Sequence, residues 1–130
     1  MKLLDLQPHF VRYETRDEEG TFVREDGTHY QEVRPVHRAR RVESLDDAQG
    51  VAFLCPLCFA ANSGDVGTHW CEVSFENRGV LPDQGSHGKE GKPTRWQVSG
   101  TGLTDLTTQP SIQLEGGCAW HGFITNGEIT

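Results

Sequence analysis

Two short stretches of this 130-residue chain carry residue types at a spacing that does chemistry: Cys55-Pro56-Leu57-Cys58 and Cys118-Ala119-Trp120-His121. Each offers two soft or borderline donors separated by two residues. Zinc takes four such donors in a tetrahedron. A two-residue spacer lets both donors of a pair face one ion, while amides of the turn reach the sulfurs. Cys55, Cys58, Cys118 and His121 are therefore expected to hold one structural zinc ion per chain. Pro56 stiffens the first turn, and Gly116 and Gly117 free the backbone leading into the second. The wide separation of the pairs suits a clamp that joins distant parts of a small fold.

Other chemistries fit less well. A redox C-x-x-C expects a strand followed by a helix, and the sequence shows no long helix after Cys58. Cys71 is left over and reads as a core thiol, although His69-Trp70-Cys71 would put an imidazole and a thiol on one strand face within reach of a metal. The zinc deaminase pattern needs H-x-E ahead of P-C-x-x-C, and no His-x-Glu precedes Cys55. H-E-x-x-H, a phosphate-binding glycine loop and G-x-S-x-G are absent. His9, His29, His37 and His87 show no partner, and Trp70, Trp96 and Trp120 read as core side chains.

The elements that must position these residues read as mainly β: two small antiparallel sheets clamped by a zinc-knuckle site, ribbon-like or tent-like, with long glycine-rich loops. His9 to Glu14 is expected to pair with Thr28 to Val33. Val51 to Leu54 is a short apolar run suited to a buried strand. From His69 to Glu76 the side chains alternate, with Cys71, Val73 and Phe75 on one side and Trp70, Glu72 and Ser74 on the other. Trp96 to Val98 is a further short strand. Asn126-Gly127 between Ala119–Ile124 and Glu128–Thr130 suits a type I′ turn, whose central residues both need positive φ. Ser44 to Gln49 is the one short helical candidate, capped by Ser44. Residues 77–94 form a surface loop, and residues 99–117 a polar stretch anchored by Leu103, Leu106, Ile112 and Leu114.

Length suggests one domain over residues 1–130, with a hairpin region and basic connector at 1–43 and a zinc-binding β core at 50–130. The net charge of −7 weighs against double-stranded nucleic acid as a partner. Arg34, His37, Arg38, Arg40 and Arg41 form a basic stretch that reads as a solvated connector. No apolar run approaches ~20 residues, and Asp5 interrupts the start, so neither a membrane span nor a signal peptide is expected. A cytoplasmic location follows, in which four cysteines serve as ligands or buried thiols rather than disulfides.

The stretch Leu106-Thr107-Thr108-Gln109-Pro110-Ser111-Ile112, followed by Gly117-Cys118-Ala119-Trp120-His121-Gly122-Phe123-Ile124-Thr125-Asn126-Gly127, resembles family 6527 of domains of unknown function. Phe53 to Phe59 would be that family's upstream cysteine turn, and the resemblance covers roughly residues 50–130. It implies Cys55, Cys58, Cys118 and His121 as metal ligands and nothing catalytic. It also implies a phage or bacterial origin, since some members lie beside ubiquitin-like conjugation genes. The expected function is a zinc-stabilised β module that binds another protein, the zinc supplying folding energy that loops do not. Two alternatives stand beside it. One is a zinc hydrolase with three protein ligands and Glu72 or Glu115 as base. The other is a single-strand nucleic-acid binder using Arg34 to Arg41 and exposed tryptophans.

Overall fold

The computed structural model describes residues 1–114 and 117–130; Glu115, weighed above as a base, and Gly116 lie outside the described residues. The architecture is mainly β, with one short helix and antiparallel sheets. Strands β1 (His9–Val23), β2 (His29–Val42), β3 (Gly50–Leu54) and β4 (Trp70–Ser74) form a four-stranded sheet in the order β2-β1-β3-β4. Helix α1 (Pro56–Asn62) follows β3 directly. The remaining strands form three two-stranded ribbons: β5 (Gln97–Ser99) with β6 (Thr107–Gln109), β7 (Ile112–Gln113) with β8 (His121–Gly122), and β9 (Ile124–Thr125) with β10 (Glu128–Ile129). Four sheets thus stand where two were expected. Turns interrupt residues 97–130 so often that each strand of two or three residues finds a single partner.

Burial explains the sheet. β3 is wholly buried because β1 and β4 flank it on both edges, so an uninterrupted apolar run suits it. Its first residue must be small: a Cβ on Gly50 would lie 2.6 Å from the Tyr13 hydroxyl and 2.8 Å from the Val73 carbonyl oxygen. The alternation expected along β4 holds through Val73, with Cys71 and Val73 buried and Trp70 and Glu72 exposed, and then breaks, since Ser74 is buried as well as Phe75. Phe53, Phe75, Leu3, Leu6, Leu106, Ile112 and Ile124 are the largest fully buried side chains of the core, and Phe10, Trp96 and Trp120 join them.

The β1–β2 pairing runs much further than expected. His9 to Glu14 faces not residues 28–33 but the start of a long register, from Phe10↔Val42 and Glu14↔Arg38 out to Val23↔His29. The basic stretch from Arg34 to Arg41 is therefore strand β2 rather than a connector. Acidic residues of β1 meet it: Arg38 Nη2 donates to Glu18 Oε1 at 2.8 Å and Arg40 Nε to Glu14 Oε1 at 2.8 Å. Opposite charges on facing strands favour that pairing. The candidate helix at Ser44–Gln49 is a single 3-10 turn, Leu45–Asp47, with Ser44 as its cap. No helix is long and apolar enough to cross a membrane.

The two ends of the chain meet. Leu3 and Leu6 are fully buried, the Leu3 amide donates to the Gly127 carbonyl at 2.9 Å, and the Ile129 amide to the Met1 carbonyl at 2.8 Å. The Asn126-Gly127 turn has the expected positive φ at both residues, 48° and 75°. A Cβ on Gly127 would also collide with the Thr104 carbonyl oxygen. Gly127→Ala is expected to cost about 1–3 kcal/mol of unfolding free energy, from strain plus that collision. Urea denaturation checks it, and a wild-type midpoint would contradict the tightness of this turn.

Candidate active site and metal centre

Strand β3 ends at Leu54, and the chain turns at once into α1 with Pro56 at its first position, where a missing N–H costs nothing. Cys55 and Cys58 fall within this corner. The β3–β4 register continues one step beyond Leu54↔Trp70, so that the Cys55 amide donates to the His69 carbonyl at 2.9 Å. His69 is thereby placed across from Cys55. From the far end of the chain, Cys118 enters the same corner: its Sγ lies 3.3 Å from Cys55 Sγ and 3.2 Å from His69 Nε2. One ligand atom from each of Cys55, Cys58, His69 and Cys118 lies within 4.8 Å of all the others, which makes a possible metal site. Tetrahedral zinc with thiolates at about 2.3 Å sets sulfurs about 3.8 Å apart, so the donor set and its spacing suit that ion.

The electrostatics of the group agree with that use. His69 Nδ1 lies 3.3 Å from the Trp70 carbonyl, which only accepts, so Nδ1 carries the proton and Nε2 faces the sulfurs. Metal-binding histidines are commonly fixed in this way. The His69 hydrogen bond holds the Cys118 thiol low, at about 6, against the burial that raises it. Burial, followed by the Cys118 and Cys55 neighbours, pushes the Cys58 thiol up to about 11. Binding a metal requires the cluster's thiols to give up their protons.

His121 stands elsewhere. Cys118 reaches the sulfur cluster, Ala119 takes a positive φ of 52°, and Trp120 turns into the core to meet Phe53 edge-on at 6.0 Å. Strand β8 begins at His121, paired with Gln113 of β7, while Gly122 pairs with Ile112. Two residues before Gln113, just ahead of β7, Ser111 is the diagonal neighbour of His121 across the ribbon. Ser111 Oγ lies 2.9 Å from His121 Nε2. The Ser111 carbonyl in turn accepts from Trp96 Nε1 at 3.2 Å, which anchors its backbone. Ser111 is half-buried and His121 exposed, so a substrate has access to both. Among the described residues His121 Nδ1 has no hydrogen-bond partner, which leaves a Ser–His dyad.

Pro110 and Ser111 form a ridge between two open grooves, of about 700 Å³ and 670 Å³. Phe123 and Thr125 line the first, and Trp70, Trp96 and Glu72 the second. Cys71 is 2% exposed and lies outside the ligand group, with burial raising its thiol. Ser111 carries no sequence motif, which is why it escaped the sequence reading. Its only signal is a small hydroxyl residue just ahead of a strand that pairs with the one starting at His121.

A family model described as "Bacterial ubiquitination-like system serine protease (BubE)" matches residues 57–130, more than half of the chain, and the chain belongs to that family. The match takes in Cys58, His69, Ser111, Cys118 and His121 and begins two residues after Cys55. No curated protein and no solved structure matches the chain. The family match corrects the resemblance drawn above: the family is BubE and not family 6527 of domains of unknown function. It also overturns the expected function, since a protease family stands where a protein-binding module, a zinc hydrolase or a single-strand nucleic-acid binder was expected.

The metal centre has two measurable consequences. Cys58→Ala and His69→Ala are expected to lose bound zinc, whereas Cys71→Ala and His121→Ala keep it, by elemental analysis of the purified proteins. Affinity falls with acidification, because protonating the Cys118 thiolate as pH drops through about 6 removes a ligand. Calorimetry of zinc uptake at neutral pH in buffers of different ionisation enthalpy should show net proton release. Uptake without release would contradict thiolate ligation.

Proposed function

We propose that this chain is a serine protease acting on a protein substrate in a bacterial ubiquitination-like system, with Ser111 as nucleophile and His121 as general base. The observation that carries the reading is the 2.9 Å contact between Ser111 Oγ and His121 Nε2 on a ridge between two grooves. Membership of the serine-protease family supports it. A serine hydroxyl is a weak nucleophile until an adjacent base takes its proton. In the reaction, His121 Nε2 accepts the Ser111 proton as Oγ bonds to the scissile carbonyl carbon. The C–N bond breaks as His121 returns that proton to the leaving amine. Water, deprotonated by His121 in its turn, then hydrolyses the ester and frees Ser111. The grooves on either side of the ridge hold the chain on the two sides of the bond that is cut.

One zinc ion per chain, held by Cys55, Cys58, His69 and Cys118, is part of this proposal as a structural element. All four positions are filled by protein, so no site is left open for water, as a catalytic zinc would need. Its task is to hold Cys118, and through it the start of β8. A cytoplasmic site of action, where thiols stay reduced, suits such a cluster.

Ser111→Ala is expected to lower peptide cleavage by at least about a thousandfold, and His121→Ala by a similar factor. Both variants should keep their zinc and melt within a few degrees of wild type. A fluorophosphonate probe should label the wild-type chain once, at Ser111 by peptide mapping. Cleavage that survives Ser111→Ala, or labelling elsewhere, would overturn the assignment.

A further inference from the structure

The groove on the Phe123 side of the ridge has a chemistry of its own. Nine residues line it, and Glu76 is the only charged one. Glu76 is exposed, and no ion-pair partner engages it among the described residues. Its backbone is anchored, with the amide donating to the Trp96 carbonyl at 2.7 Å, which places the residue on the groove's lining. Phe123 is 48% exposed and offers a ring against the same space. Thr108, 1% exposed, lies in the groove's floor, and its Oγ1 has no hydrogen-bond partner among the described residues. A buried hydroxyl left unpaired costs free energy that a ligand's polar group recovers. Gln97 and Gln109 add amide oxygens as acceptors.

These groups converge on one class of side chain. A carboxylate without a cation, an exposed aromatic face and a set of acceptors with no competing positive charge fit a long cationic side chain. Its stem lies on Phe123, its head meets Glu76, and its N–H groups reach the acceptors. The net charge of −7 adds long-range attraction of the same sign. We propose that this groove is a specificity subsite of the protease and binds an arginine or lysine side chain of the substrate near the scissile bond, with Glu76 as the discriminating residue. The proposal rests on the reading of Ser111 as nucleophile and deepens it by naming the substrate chemistry beside the cut.

The test uses the full chain with Ser111→Ala, so that binding is read without cleavage. The probes are fluorescent, end-blocked Ala/Gly hexapeptides that carry one arginine at each position in turn. Matched peptides carry citrulline, which keeps the shape and removes the charge. At one or two adjacent positions arginine is expected to bind roughly tenfold more tightly than citrulline by fluorescence anisotropy, the sum of one partly exposed ion pair and one cation–π contact. Glu76→Gln in the same background should erase that preference, and Glu76→Lys should reverse it toward a glutamate peptide. In the active protein, kcat/KM for the preferred arginine peptide should fall about tenfold on Glu76→Gln, removing its advantage over the citrulline peptide. No position favouring arginine, or a preference that survives Glu76→Gln, overturns the subsite. Cleavage that persists in Ser111→Ala overturns the nucleophile instead, so the two failures are told apart.

Discussion

The candidate site depends on where residues 117–122 are pinned. Strands β7 and β8 are two residues long and contribute few ladder hydrogen bonds. Strands pair with a side-chain period of two, so a slip of one residue would carry His121 to the opposite face, away from Ser111. Three restraints outside the ladder prevent it. Cys118 is drawn into the sulfur and imidazole cluster, Trp120 is locked against Phe53, and Phe123 and Thr130 exchange backbone hydrogen bonds of 3.0 and 3.1 Å. Gly122 completes the fit, since any Cβ there would strike the Thr130 carbonyl and the Trp120 ring. One member of the sulfur and imidazole cluster, Cys118, lies three residues before His121 yet shares no atom with it. The contribution of the cluster is positional: it decides the face on which the His121 imidazole emerges.

How much of this was legible in the sequence follows from how local each feature is. The buried run of β3, the Asn126-Gly127 turn and the core position of Cys71 are set by neighbours a few residues apart, and they read correctly. The Cys55 and Cys58 corner is local as well, and the structure brings Cys118 to it. The imidazole that joins them there is that of His69. Either His69 or His121 has a suitable side chain, and only the β3–β4 register, which sets His69 across from Cys55, distinguishes them. Ser111 depends on a second long-range register, that of β7 with β8, between strands too short to leave a periodic trace. Helix α1, which contains Cys58, went unread because its seven residues are too few for a helical repeat to show.

The long pairing of β1 with β2 was misjudged for a related reason. A run of acids and a run of bases look like solvated segments when read one at a time. Side by side they neutralise one another along a shared ladder, with contacts such as Glu18 to Arg38 and Glu14 to Arg40. Exposed pairs of this kind are screened by solvent and add little stability, so the charges select the partner strand more than they stabilise it.

That ribbon has unequal support along its length. β3 backs it only from His9 to Val11. Beyond that, the segment at 83–84 props it where Gln84 Nε2 donates to Thr15 Oγ1 at 3.1 Å and Asp83 approaches His37 at 3.8 Å. From Arg16 and Val36 outward, two strands stand with no third to lean on, held by their own ladder and by a small stack in which Arg34 covers the Phe22 ring at 3.6 Å. Isolated two-stranded hairpins are marginal in water. Opening of the outer ribbon therefore costs far less than opening of the sheet it grows from, and it proceeds from the tip inward while the base stays closed. Amide hydrogens near the tip are expected to exchange by local fraying, and those of Phe10 and Val11, paired on both sides, only by wider opening. A single element thus carries the full range of local stabilities found in the molecule, graded along its axis from the core to open solvent.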